Sequence, residues 1–108
     1  MAQIMLVGFE QTFQQSLLEE LRRHGHVGRE LEPAMSFARV LESEGRDIDV
    51  VVVDATSEKA CIVEYMATLQ SFRNVNGLRP MILCITRVSR GAQFELGLER
   101  KGARVYGY

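Results

Sequence analysis

Tryptophan is missing from this sequence, cysteine and proline occur only twice each, and neither sign of charge predominates. Two cysteines cannot build a disulfide scaffold, and Cys61 and Cys84 lie in apolar surroundings where cysteine packs as a small buried hydrophobe. Two Pro beside nine Gly exclude collagen-like and proline-rich chains. Thirteen basic against fourteen acidic residues leave a formal charge of -1, so no global field draws the chain to nucleic acid or anionic lipid. No apolar run reaches the ~18–20 residues that a membrane helix needs. The start, "MAQIMLVGFE", has neither the basic lead nor the cleavage signal of a secretory peptide, so a cytoplasmic protein is expected. What remains is 46% apolar and 25% charged residues over 108 positions, the profile of one soluble domain spanning residues 1–108.

The apolar segments change period along the chain. "QIMLVGF" is too short for a buried helix and reads as a strand. After it, Phe13, Leu17 and Leu21, with Leu18 beside them, predict an inward helical face, with Thr12 as N-cap and Gly25 as C-cap. "HVGRELEP" is a weaker strand anchored by Val27 and Leu31 and loosened by Gly28. "SFARVLESEG" predicts a helix capped by Ser36, facing inward with Phe37, Val40 and Leu41, and stopped at Gly45. "DVVVVD" lacks alternation, which implies a strand buried on both faces.

A third helix carries Ile62, Met66 and Leu69, with Thr56 or Ser57 as cap and Glu58 in the first turn. "MILCIT" repeats the buried-strand pattern, "SRGAQFELGLERKG" predicts a helix weakened by Gly97, and "ARVYGY" is a fifth strand. Strict alternation of five strands and four helices demands parallel pairing through right-handed crossovers. The expected fold is therefore α/β, a doubly wound parallel five-stranded sheet.

Ligands of such sheets bind outside the carboxyl ends of the strands, where the strand order reverses. The groups presented there are Glu10, Asp54, Thr86 and Tyr106. Other candidates are weaker. His24 and His26 in "RRHGH" have no completing ligand set and read as a basic helix end, and the methionines read as core fillers. "GFEQ" after the first strand is not a dinucleotide fingerprint, which argues against a nucleotide cofactor.

With these residues the chain resembles, over essentially its whole length, the response-regulator receiver domains of the CheY-like family. The resemblance implies that Asp54 is the phosphoryl acceptor, Glu10 the second member of an acidic pair that binds Mg²⁺, Thr86 the hydroxyl that senses the phosphoryl group, and Tyr106 in "GARVYGY" the switch aromatic. It also implies that Mg²⁺ would be held by Glu10, Asp54 and the Thr56 backbone carbonyl. A divalent cation and donors aimed at the phosphoryl oxygens are what transfer to a carboxylate requires.

The departures are equally specific. Phe9 stands at the first acidic position, "ATSEKA" replaces the family's Met-Pro pair after the acceptor, and Tyr108 precedes the position of the strand-five lysine. The usual last helix is also expected to be lacking. Weak Mg²⁺ binding follows, and with it a degenerate receiver, not an enzyme, that regulates partners by protein interaction as the N-terminal regulatory domain of a response regulator or transcriptional regulator. The alternatives are a competent Mg²⁺-dependent acceptor at Asp54 in a phosphorelay, or a plain dimerisation module in which Asp54 is a strand-end cap. Expected partners are a histidine kinase or other signalling protein and a second copy of the chain, which would cover the apolar area left without the last helix. Nucleic acid would be reached only through an effector domain outside these residues.

Overall fold

The computed structural model describes residues 2–30, 37–56 and 62–108. Its elements follow in the order β1 (Gln3–Val7), α1 (Gln11–Arg23), β2 (Val27–Glu30), α2 (Phe37–Glu44), β3 (Val50–Asp54), α3 (Ile62–Ser71), β4 (Met81–Thr86), a 3-10 turn (Val88–Arg90), α4 (Ala92–Arg100) and β5 (Ala103–Gly107). The strands form one parallel sheet in the order β2-β1-β3-β4-β5, and no helix follows β5.

That order decides which face each helix covers. The chain steps one way from β1 to β2 and the other way in every later crossover; because each crossover is right-handed, α1 lies alone on one face and α2, α3 and α4 share the other. In parallel strands, register partners project to the same side. Met5, Val7, Val51, Val53, Ile82, Cys84 and Ala103 therefore line the three-helix face, where they pack against Phe37, Val40 and Leu41 of α2, Met66 and Leu69 of α3 and Leu98 of α4. This is the closed face.

On the α1 face, burial fades across the sheet. Ile4 and Leu6 are buried, Val50, Val52, Leu83 and Ile85 are half-buried, and Met81 at the margin is 48% exposed. The valine run of β3 is thus sealed on one side and only partly covered on the other, which corrects the expectation of full burial on both.

Several local expectations are also corrected. Glu10, not Thr12, caps α1: its extended backbone lets the carboxylate turn back to accept the N–H groups of Thr12 and Phe13. Phe13 does not face the core but is 53% exposed and stacks on Phe9 with ring centroids 5.7 Å apart, while Gln14 is the buried residue of α1. Gln14 Nε2 donates to Glu30 Oε2 over 2.7 Å, which satisfies its amide and ties the helix to β2. Gly25 does terminate the helix: with φ 78° its N–H reaches Arg22 O, and the His26 N–H reaches Leu21 O, a Schellman closure.

Val27 is exposed, so it does not anchor β2, and Leu31 lies outside the described residues. The strand is held instead at Gly28, where an added Cβ would come within 2.5 Å of Leu18 Cδ2, so the glycine admits α1 closely rather than loosening the strand. Gly45 ends α2 as expected, at a place where a Cβ would meet Leu41 O at 2.6 Å. Helix α4 starts only after Gly91, whose φ of 97° separates it from the 3-10 turn, so the predicted single helix is in two parts. Met5 and Met66 fill the core but Met81 does not. Cys84 is a free, buried thiol whose pKa is pushed up to about 11 by loss of solvent, and Cys61 lies outside the described residues, as do the expected caps Ser36 and Ser57 and the first-turn acid Glu58.

Candidate functional site at the carboxyl edge of the sheet

All five strands run the same way, so the segments following them emerge at one edge of the sheet, and the order reverses between β1 and β3. Glu10, Asp54, Thr86 and Tyr106 stand at that edge. Gly8, with φ 85°, carries the chain out of β1 so close to β3 that an added Cβ would lie 3.5 Å from Asp54 O and 3.8 Å from Asp54 Cβ. A Cβ there would only touch Asp54; it is the positive φ that calls for glycine. The loop carrying Phe9 and Glu10 therefore starts beside the end of β3 at Asp54.

Asp54 is half-buried and already engaged on one oxygen. Its Oδ1 accepts the Thr56 N–H at 2.9 Å and the Thr56 hydroxyl at 2.6 Å, closing a local turn at the end of β3. Among the described residues Oδ2 has no such partner. Thr56 thus reaches the site through its N–H and hydroxyl, the groups that hold the aspartate still.

Both oxygens of Glu10 are engaged as well, Oε1 by the Thr12 N–H at 3.1 Å and Oε2 by the Phe13 N–H at 3.2 Å. The hydrogen bond from the Thr12 N–H, then that from the Phe13 N–H, then that from the Thr12 hydroxyl hold the pKa of Glu10 below the ordinary glutamate value. Glu10 is a helix cap first. Beside it the Phe9 and Phe13 rings stack, so an apolar pair occupies the ground next to the acid.

Thr86 ends β4 wholly buried, and among the described residues its Oγ1 has no hydrogen-bond partner. Its register partner is Gly107, whereas Tyr106 pairs with Ile85 on the α1 side and is 62% exposed. Hydroxyl and ring therefore begin on opposite sides of the sheet, and only the freedom of an edge strand would let the ring swing toward the hydroxyl. His24 pairs with Glu20 at 3.5 Å and His26 Nδ1 accepts the Ala2 N–H at 3.1 Å, both at the opposite end of α1 from Glu10. Among the described residues no three His, Cys, Asp or Glu side chains gather around one point.

One neighbouring group escaped the sequence reading: Arg90, whose guanidinium lies 4.1 Å over the Phe94 ring with Nη1 buried and unpartnered. Taking residues 89–102 as one helix hid it, since the arginine sits in the turn that precedes α4.

No protein-family model and no curated protein matches the sequence. Solved structures do match. A response-regulator receiver domain protein from Clostridium thermocellum superposes with a TM-score of 0.74 at 18% identity, covering 99% of this chain and 82% of that one. The chain has the receiver fold. The receiver domain of the Francisella response regulator 1452 gives 0.72 at 9% identity over 99% and 84% of the two chains, and a response regulator protein from Burkholderia multivorans gives 0.68 at 16% over 98% and 81%. Identities this low speak to fold and not to chemistry, so the role of Asp54 is not decided by them. No described helix is long and apolar enough to cross a membrane.

Proposed function

We propose that this chain is a degenerate receiver: a cytoplasmic signalling module that works by contact with other proteins and takes up phosphoryl groups at Asp54 slowly or not at all. The observation that carries this reading is the Phe9–Phe13 stack beside a Glu10 that is committed to capping α1. Mg²⁺ demands an octahedron of oxygen ligands. Phe9 offers none, Glu10 would have to release two helix N–H groups, and Asp54 shares one oxygen with Thr56. The donor set does not fit a tight Mg²⁺ site, so weak binding through Glu10, Asp54 and the Thr56 carbonyl is the most this reading allows.

Exposing the protein to acetyl phosphate or beryllofluoride with millimolar Mg²⁺ and recording its mass and amide spectrum tests the proposal. No Asp54-dependent change is expected; a change that disappears in Asp54→Asn would overturn it in favour of a competent phosphorelay acceptor. One observation favours that second reading. The buried hydroxyl of Thr86 has no acceptor among the described residues, and a phosphoryl oxygen reaching over the strand ends from Asp54, which starts on the opposite side of the sheet, could supply one.

Partners in this proposal are signalling proteins, a histidine kinase among them, and a second copy of the chain. The uncovered part of the α1 face, with Met81, Tyr106 and the half-buried Leu83 and Ile85, supports the latter and a dimerisation role.

A further inference from the structure

The amino edge of the sheet, where helices end and strands begin, lies opposite the edge that carries Asp54. There, between α3 and β4, the chain makes a turn that Asn74 closes twice. The Asn74 N–H donates to Leu78 O at 2.9 Å, and its Oδ1 accepts the N–H groups of Asn76 and Leu78 at 3.0 and 3.1 Å. Asn74 Nδ2 donates to Ile48 O at 3.3 Å and the Val75 N–H to Arg46 O at 2.7 Å, so the turn is braced on the segment before β3. This frame holds two aliphatic side chains out in water: Val75 is 62% and Leu78 63% exposed.

Cations ring that tip. Arg73 Nη1 and Arg79 Nη2 each donate to one oxygen, Gln70 O, at 3.1 Å, which brings two like charges together at the end of α3. The helix dipole favours them there, yet these bonds and that from Arg73 to Phe72 O leave most of their N–H donors free. Gln70 Nε2 donates to Lys101 O at 3.4 Å, and Arg79 Nη1 lies 3.6 Å from where a Cβ on Gly102 would stand, so the junction of α4 and β5 joins the cluster. Arg46 joins it from the other side through its bond to Val75. Among the described residues none of Arg46, Arg73, Arg79 and Lys101 enters an ion pair. Nearby acids are engaged elsewhere: Asp47 with Arg29 at 3.0 Å, and Asp49 with the Gln3 N–H at 3.0 Å. Exposed Glu99, in the last turn of α4, works against the positive field.

A formal charge of -1 therefore conceals a local cationic collar around an apolar tip. Protein partners are gripped chiefly through aromatic anchors, and residues 73–79 contain none. Short aliphatics set among basic side chains suit a lipid interface, where the former leave water and the latter meet anionic head groups.

We propose that this turn docks the module on an anionic lipid surface, with Val75 and Leu78 entering the interface and Arg46, Arg73, Arg79 and Lys101 meeting the head groups. Docked in this way, the carboxyl edge with Asp54 faces away from the lipid and stays open to other proteins. The docking does not depend on whether Asp54 takes up a phosphoryl group.

The test is sedimentation of the full chain with vesicles of phosphatidylcholine alone and with phosphatidylserine as about a third of the lipid. Binding is expected to the anionic vesicles only, and it should weaken as salt rises. Arg73→Gln and Arg79→Gln should each reduce affinity about fivefold, and Arg79→Lys, which keeps the charge, should retain it. Val75→Ser combined with Leu78→Ser should reduce affinity about tenfold or more while leaving the salt dependence as it was. Arg87→Gln makes the same charge change on an exposed residue at the carboxyl edge and should have no effect. A cooperative melt above the assay temperature shows that each variant is folded.

No sedimentation with anionic vesicles at low salt, or equal losses in Arg87→Gln and Arg79→Gln, would overturn the proposal. Capture by duplex DNA or an acidic polypeptide as tight as by the vesicles, and indifferent to the paired serine substitutions, would overturn it too, since the edge would then take polyanions rather than lipid.

Discussion

The two faces of the sheet are built from the same five strands yet finished differently. On the closed face three helices seal Met5, Val51, Val53, Ile82 and Cys84 completely; on the other, α1 covers β1 and β2 and leaves the margin beyond β3 increasingly open. The cause is topological rather than compositional. Val51 and Val52 are the same residue type one position apart, and only the number of helices delivered to each side by the crossovers distinguishes their surroundings. The difference teaches where stability resides and where change is tolerated: the closed face holds the fold, while the open margin is available for contact.

Paired truncations test this most directly. Leu41→Ala removes a fully buried side chain from the closed face and should cost about 2–5 kcal/mol, whereas Met81→Ala on the open margin should cost about 1 kcal/mol or less. Urea unfolding of the two variants measures both. Similar costs would mean that the open margin is covered in solution, and a cost for Met81→Ala that grows with protein concentration would identify a second copy as the cover.

A smaller effect, of opposite sign, is expected at the one polar row-end of the closed face. Thr86→Val replaces an unpartnered buried hydroxyl by a methyl of nearly the same shape and should stabilise the fold by about 1–2 kcal/mol. Calorimetry in phosphate-free buffer reads this as a rise in melting temperature. A fall would show that the hydroxyl has an acceptor in solution.

The smallest effects separate the two faces by pH. Cys84 on the closed face has its thiol raised from 9.0 to about 11 by burial, so its contribution is whole below the ordinary thiol value and is lost as pH climbs toward 11. Cys84→Ala should therefore flatten the alkaline decline in stability. Glu10 is lowered by the helix N–H groups it caps, so its contribution is present above the ordinary glutamate value and disappears as pH falls through the depressed one. Glu10→Gln should flatten the acid limb, and denaturant midpoints across the pH range check both.

What could be read from the residues was whatever depends on period and order. "DVVVVD" and "MILCIT" have the length and branching of interior strands, and their alternation with helical segments leaves little choice but a parallel sheet. The edge positions of Glu10, Asp54, Thr86 and Tyr106 follow from that order alone. What could not be read depends on three-dimensional context. Phe13 satisfies the helical spacing of a core residue yet faces outward, because no second helix meets α1 on its face among the described residues. Glu10 caps α1 although glutamate is not a preferred cap, since its long side chain can fold back onto Thr12 and Phe13. Arg90 gave no signal, because an arginine before a helix is ordinary until one of its guanidinium nitrogens is seen buried.

The close approach of Leu18 to Gly28 has a consequence for how the shortest strand keeps its alignment. Sliding β2 by one step would bring Val27 or Arg29 under the leucine, whose methyl would have to swing aside to admit it. The missing side chain thus acts as a soft detent that favours one setting of a four-residue strand against β1.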